Sequence, residues 1–309
     1  MPLDPRVKRF LDILAAGNPP DARSATVEER RAGLSALMKF GGPAPEVGHV
    51  EERWVRGAAG ELRVRLYAPK VGEPGPGLIY FHGGGLVAGN LDTHDVIARA
   101  LASCAGVRIV SIDYRLAPEH RFPSALEDAS AAVSYIGEHA ADFGIDRERL
   151  GICGDSAGAT LAAATTHSAV RDGGPPLKLQ LLLCPILDYS RITGSKRDLS
   201  SGYLVDQATL DHDLMHYLPA GIDSSDPRVS PLLAADLAGL PPTRIHTAEF
   251  DPLRDEGRSY FERLSHAGND VSYTCHPGMI HLFYGLGAVI PYARTAFKQI
   301  GGEIRAALA

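Results

Sequence analysis

Residues 150–158 read Leu-Gly-Ile-Cys-Gly-Asp-Ser-Ala-Gly, and no other stretch limits the fold as much. They contain Gly-x-Ser-x-Gly, from Gly154 to Gly158, with Ser156 at the centre. An apolar, strand-like run precedes the motif, and an alanine-rich, helix-prone run follows over residues 159–170. Strand, sharp turn and helix together lift a serine hydroxyl above the edge of a sheet. The flanking glycines remove side chains that would collide with the neighbouring strand and helix. A serine hydroxyl is a weak nucleophile, so a chemical reading needs a base, an acid to orient it, and donors for a developing oxyanion. The pentapeptide alone does not decide the matter, because small-residue turns before helices are common.

The surroundings have the rhythm of an α/β protein. Strand-like runs fall at 77–81, 107–112, 150–153, 177–185, 243–248 and 271–275. Helical patterns fall at 123–139, 157–170, 255–267 and 292–308, and a further one ends at Cys104. Apolar strands without polar alternation predict a sheet covered on both faces, and the order predicts mostly parallel strands with right-handed crossovers. Ahead of them, alternating runs at 50–55 and 61–67 read as an antiparallel hairpin.

Two segments lack strands. Residues 1–45 hold helical patterns, with Val7, Phe10, Leu11 and Leu14 on one face and Glu28 and Glu29 near the start of a second helix. Residues 188–227 are polar apart from a helical patch at 206–217. The expected division is a catalytic core of 46–187 and 228–309, with 1–45 and 188–227 packed over it as a helical cap.

Bulk properties exclude several function classes. The chain has 309 residues, 45% hydrophobic and 22% charged, an ordinary globular balance. A net charge of −6 argues against a general nucleic-acid footprint. Cys104, Cys153, Cys184 and Cys275 form no C-x-x-C pair, so neither a zinc site nor a disulfide framework is expected. Charges interrupt the N-terminus too often for a signal-peptide core. The longest apolar run, near 181–187, is far short of the ~20 residues of a membrane span. The expectation is a soluble, cytoplasmic protein with reduced core thiols and no stable membrane insertion.

The remaining parts of a serine site can be sought in chain order. His82-Gly83-Gly84-Gly85 follows the strand ending at Phe81, and backbone N–H groups of a glycine run can converge on one point. Gly83, Gly84 and Ala157 are the candidate oxyanion donors; the alternatives for the run are a plain glycine turn or an anion cradle. The acid is expected after the serine. Asp251 leaves the strand-like run 243–250 at its C-terminal end, with Glu249 as a rival and Asp255 as a helix-supporting acid. The base is expected last. Of twelve histidines, His276 and His281 lie beyond the final strand, and His281 is favoured because Pro277 to Ile280 are read as a loop that lets it reach the serine.

Taken together, His82 to Gly85, Asp113-Tyr114-Arg115-Leu116-Ala117-Pro118-Glu119, Gly154 to Gly158, Asp251-Pro252-Leu253-Arg254-Asp255-Glu256-Gly257 and His281-Leu282-Phe283 resemble the hormone-sensitive-lipase-like esterases of the α/β-hydrolase fold, bacterial family IV. The resemblance covers about residue 45 to the end. It implies nucleophile Ser156, acid Asp251, base His281, a helical cap, no metal or cofactor, and carboxylic ester substrates with short to medium acyl chains. It also implies a homodimer through an edge strand, with 271–275 as the candidate. Two positions depart from the family pattern. Leu282 stands where glycine usually follows the histidine, and Leu86 where an aromatic residue is common. Both are candidate pocket residues. An amidase or deacetylase with the same triad is the alternative enzyme, and a non-catalytic small-molecule receptor is the alternative outside enzymes.

Overall fold

A computed structural model of the chain describes residues 1–17, 22–69 and 74–309. Two capped helices come first. α1 (Pro5–Ala16) starts at Asp4, whose carboxylate accepts from the Arg6 and Val7 N–H groups. α2 (Val27–Met38) starts with a reciprocal box: Thr26 Oγ1 accepts from Glu29 N–H at 3.2 Å, and the Glu29 carboxylate accepts from Thr26 N–H at 2.8 Å. Each cap satisfies donors that a helix start leaves unpaired.

The predicted hairpin is present. β1 (His49–Arg56) and β2 (Glu61–Ala68) pair antiparallel from His49↔Ala68 to Arg56↔Glu61. From there strands and helices alternate: β3 (Gly75–Phe81), α3 (Asp95–Ala105), β4 (Arg108–Ile112), α4 (Ser124–Glu138), β5 (Ile145–Asp155), α5 (Ala157–Asp172) and β6 (Gln180–Leu183). Two helices, α6 (Gly194–Asp198) and α7 (Gln207–Tyr217), lie in the strandless segment. β7 (Thr243–Phe250), α8 (Arg254–His266), β8 (Val271–Ile280) and α9 (Tyr292–Ala307) complete the chain.

The eight strands form one sheet in the order β1-β2-β4-β3-β5-β6-β7-β8, parallel from β4 to β8. The alternation of a strand separates two cores. Ile79 and Phe81 face a core shared with α4, α5 and α8, whereas Leu78 and Tyr80 face one shared with α3 and α9. All four side chains are fully buried. Because parallel strands share one direction, β3, β5, β7 and β8 end at the same edge of the sheet, where sites form in open α/β folds.

The two strandless segments settle in different ways. Val7 and Phe10 of α1 are buried in the α3–α9 core, and Asp4 N–H bonds to Gly278 O in β8. Leu34 and Met38 of α2 are buried in the same core, and Leu34 and Leu37 of α2 with Leu210 of α7 also line the cavity at Ser156. The segment carrying α7 is tied down by Glu256, whose carboxylate accepts from Leu187 and Asp188 N–H and pairs with the buried Lys196 at 2.5 Å. Among the described residues no helix is long and apolar enough to cross a membrane.

Candidate active site

Ser156 sits between β5 and α5 with φ 52° and ψ −121°, a strained backbone for a residue with a side chain. The strain is fixed by close approach. A side-chain carbon at Gly154 would lie 2.2 Å from Gly158 O, and one at Gly158 would lie 2.1 Å from Phe81 O. The backbone also anchors the turn, because Ser156 N–H donates to Leu183 O at 2.9 Å.

Three side chains from three strand ends meet at this elbow. His281 Nε2 lies 3.1 Å from Ser156 Oγ, and His281 Nδ1 lies 2.8 Å from Asp251 Oδ2. A carboxylate only accepts, so Nδ1 carries the proton and Nε2 faces the hydroxyl as the acceptor. Asp251 is itself held by Leu253 N–H, which donates to Oδ1 at 2.9 Å. Burial disfavours the His281 imidazolium, but the charge and hydrogen bond of Asp251, with Asp155 behind, outweigh it and raise the pKa.

The rivals lie elsewhere. Glu249 accepts from Gly278 N–H at 2.7 Å and pairs with the Met1 ammonium. His276 is buried against His246, with Nε2 to Nδ1 at 3.1 Å. The segment Pro277 to Ile280, read from sequence as a loop, is instead the end of β8, paired to β7 at Phe250↔Ile280. His281 is thus aimed by the strand itself rather than by loop freedom.

The glycine run is held at its first residue. Gly83 N–H donates to Asp155 Oδ1 at 2.9 Å, so it is not free to meet a substrate oxygen. Gly84, Gly85 and Ala157 N–H have no intramolecular partner among the described residues, and Gly84 and Gly85 line the cavity. Of the candidate donors Gly83, Gly84 and Ala157, Gly83 N–H is thus already occupied. Asp155 also accepts from Tyr80 O–H at 2.5 Å, and burial pushes its carboxyl pKa up to about 6. Tyr114 braces the same loop, donating to His82 O at 2.6 Å and stacking on the His82 ring.

A cavity of about 290 Å³ opens onto Ser156 and His281. Its apolar wall includes Leu34 and Leu37 from α2, Leu204 and Leu210 from the inserted segment, and Leu282. The volume is at the small end for ligand pockets, which suits a substrate of modest size. The Cys184 thiol lies near the triad, and its sulfur, Asp251 and His281 have ligand-capable atoms within 4.8 Å of one another. The trio is poorly suited to a metal. Burial, then the Asp251 charge, pushes the thiol well up, whereas a metal needs the thiolate. His281 Nδ1 and Asp251 Oδ2 already hold each other.

Comparison with known proteins gives the family. Residues 78–285 match a family model described as the alpha/beta hydrolase fold. The chain belongs to this family. Among its relatives, this hydrolase is 40% identical over 302 residues to the carboxylesterase NlhH of Mycobacterium tuberculosis, covering 95% of this chain and 92% of the relative. It is 36% identical over 312 residues to an ethyl acetate hydrolase of Pseudomonas putida, covering 97% and 98%. A solved hyperthermophilic esterase from the archaeon Pyrobaculum calidifontis superposes with a TM-score of 0.94 at 35% identity, covering 100% of both chains. The hydrolase is thus a carboxylic ester hydrolase of the hormone-sensitive-lipase-like group.

The two sequence-predicted pocket residues of this hydrolase part company. Leu86 is fully buried in the core with Phe81 and Tyr114 and does not line the cavity. Its backbone is left-handed, at φ 64°. Leu282 does line the cavity, at φ 60°. Glycine adopts that left-handed conformation without strain, which gives a physical reason for the family's usual glycine there.

Sequence reading missed Arg30 and Asp213, which line the cavity and pair at 2.8 Å. No local signal marks them. Each is one charged residue on a polar helix, and only the tertiary fold brings α2 to α7.

Proposed function

We propose that this esterase works through an acyl-enzyme on Ser156. The observation that carries the reading is the unbroken line from Asp251 through His281 to Ser156, at 2.8 and 3.1 Å, opening onto an apolar cavity. His281 Nε2 takes the hydroxyl proton as Ser156 Oγ bonds to the ester carbonyl carbon. The carbonyl oxygen gains the negative charge and is met by the N–H groups of Gly84, Gly85 and Ala157. The imidazolium, held by Asp251, gives its proton to the departing alcohol. Water then attacks the acyl group, with His281 again as base. Each proton passes through His281, so the reaction as written calls on no metal or cofactor.

The substrates are esters with short to medium acyl chains, in keeping with the small cavity. α2 and α7 act as the cap that shapes it, joined to a core of 46–187 and 228–309. β8 is the outer strand of the sheet and would pair with a second copy. Four free cysteines fit a reducing compartment such as the cytoplasm.

Kinetics of Ser156→Ala and His281→Ala on acetate, butyrate and octanoate esters test the reading. Each variant should lose about 10⁴-fold or more in kcat, because nucleophile and base act as a unit. Retained turnover in either variant would contradict it. Anilides of the same acids, run in parallel, separate an esterase from an amidase.

A further inference from the structure

We propose that Arg30 and Asp213 form a charge-balanced latch between α2 and α7, and that both are positioning residues for the Gly84–Gly85 oxyanion turn. The inference rests on the serine mechanism above and concerns what holds its oxyanion donors.

Asp213 presses on the glycine run. A side-chain carbon at Gly85 would lie 1.8 Å from Asp213 Oδ2 and 2.4 Å from its Cγ. The carboxylate thus lies against the α-carbon of a residue whose N–H is to meet a developing negative charge. Left bare, it would oppose that charge in a site shielded from water. Arg30 cancels it. Nη2 donates to Oδ2 at 2.8 Å, and Nε lies 3.1 Å from Oδ1 and 3.3 Å from Oδ2. Such two-point contacts fix geometry as well as charge. The side chains are only 19% and 6% exposed, so solvent screens the pair weakly. Both line the same cavity as Ser156 and His281.

The pair also joins pieces of chain distant in sequence. His212, beside Asp213 on α7, brings Nδ1 to 3.1 Å from Asp213 Oδ1 and Nε2 to 3.0 Å from Ala25 O just ahead of α2. Asp213 is thus faced by Arg30 from α2 and by His212 from its own helix. His281 is faced by Asp251 after β7, Asp155 at the end of β5 and Arg30 from α2. Burial and the Arg30 charge push its imidazolium down, and the two carboxylates push it up.

The test compares Arg30→Met, Asp213→Asn and the double variant, with Arg30→Lys as the conservative change. The readouts are kcat, KM and the pH profile of kcat/KM on one short-chain ester. Arg30→Met leaves an unbalanced carboxylate. It should lower kcat at least about tenfold and move the acid limb to higher pH. Asp213→Asn leaves an unbalanced cation and should move the limb to lower pH. The double variant should return the limb towards wild type and recover part of kcat, and Arg30→Lys should fall between wild type and Arg30→Met. Shifts of the same sign in both single variants, or an additive double variant, would overturn the latch. So would a change in KM alone. Wild-type labelling at Ser156 by a fluorophosphonate separates the two readings. A wild type that does not label defeats the serine mechanism, whereas labelling without the opposed shifts defeats only the latch.

Discussion

Asp155 and Gly83 are joined by a hydrogen bond of 2.9 Å from the glycine N–H to the carboxylate, which ties the glycine run to the residue before Ser156. Asp155 is the residue immediately before Ser156, so the nucleophile elbow and the oxyanion loop are braced by one side chain. Asp155→Ala would strand two buried donors, Gly83 N–H and Tyr80 O–H, at about 1–3 kcal/mol each. We predict a kcat loss of tens-fold with little change in KM. Asp155→Asn keeps an oxygen for both donors and should be far milder. Equal losses in the two variants would show that the charge, not the hydrogen bonds, is what matters.

Asp155 also makes a stability prediction. Burial raises its carboxyl from the ordinary 3.8 to about 6, so the native state holds this proton more tightly than the unfolded chain does. Its contribution is fully present below the ordinary value and is lost as pH rises through about 6. Asp155→Asn removes that loss. The variant's Tm relative to wild type should therefore improve between pH 4 and 7, as measured by thermal melts across that range.

The raised pKa of His281 predicts the acid limb of the rate. The base must be neutral to accept the serine proton, so kcat/KM should fall on acidification with a midpoint above the ordinary histidine value of about 6.5. Asp251 is the main group holding that value up against burial. Asp251→Asn should move the limb below the ordinary value and cost orders of magnitude in rate. Glu249→Gln, which only loosens the contacts to Gly278 and Met1, should keep kcat/KM within about twofold. The reverse pattern would move the acid to Glu249.

Leu282 poses two opposing effects. Glycine would relieve the φ 60° backbone, worth about 1–2 kcal/mol. It would also remove a side chain only 5% exposed, and such truncations cost about 2–5 kcal/mol. Loss of packing wins, so Leu282→Gly should lower Tm while widening the cavity. Its acyl-chain profile should move towards longer esters relative to acetate. A uniform change across chain lengths would make Leu282 a core residue only.

Removal of residues 1–40 should unfold the protein rather than merely open its site. Val7, Phe10, Leu34 and Met38 are all buried in the α3–α9 core. At about 1.5–3 kcal/mol each, their burial amounts to about 6–12 kcal/mol, comparable to the whole stability of a domain. Circular dichroism of the truncated chain checks this. A folded, active truncation would mean that these helices only cover the surface.

Most of the frame was legible because it is local. The apolar strands, the Gly-x-Ser-x-Gly elbow and the order of serine, acid and histidine are carried by short stretches of sequence. That Gly83 N–H is occupied was not legible, because its partner Asp155 lies 72 positions away. β8 was cut short because residues 277–280 read as a loop. Pairing with β7 and the docking of Asp4 on Gly278 override that local signal. Leu86 looked like a pocket residue from its place after the glycines, but it is buried in the core with Phe81 and Tyr114. Arg30 and Asp213 were invisible for the simplest reason: a charge on a polar helix says nothing of its partner 183 residues away.

Ser156 is the proposed nucleophile. That role is tested most directly by reacting the intact enzyme with a fluorophosphonate and mapping the adduct by peptide mass spectrometry. One adduct is expected, on Ser156, formed in step with loss of esterase activity and absent from Ser156→Ala. Full inactivation with the adduct on another residue, or esterase activity that survives complete modification of Ser156, would contradict it.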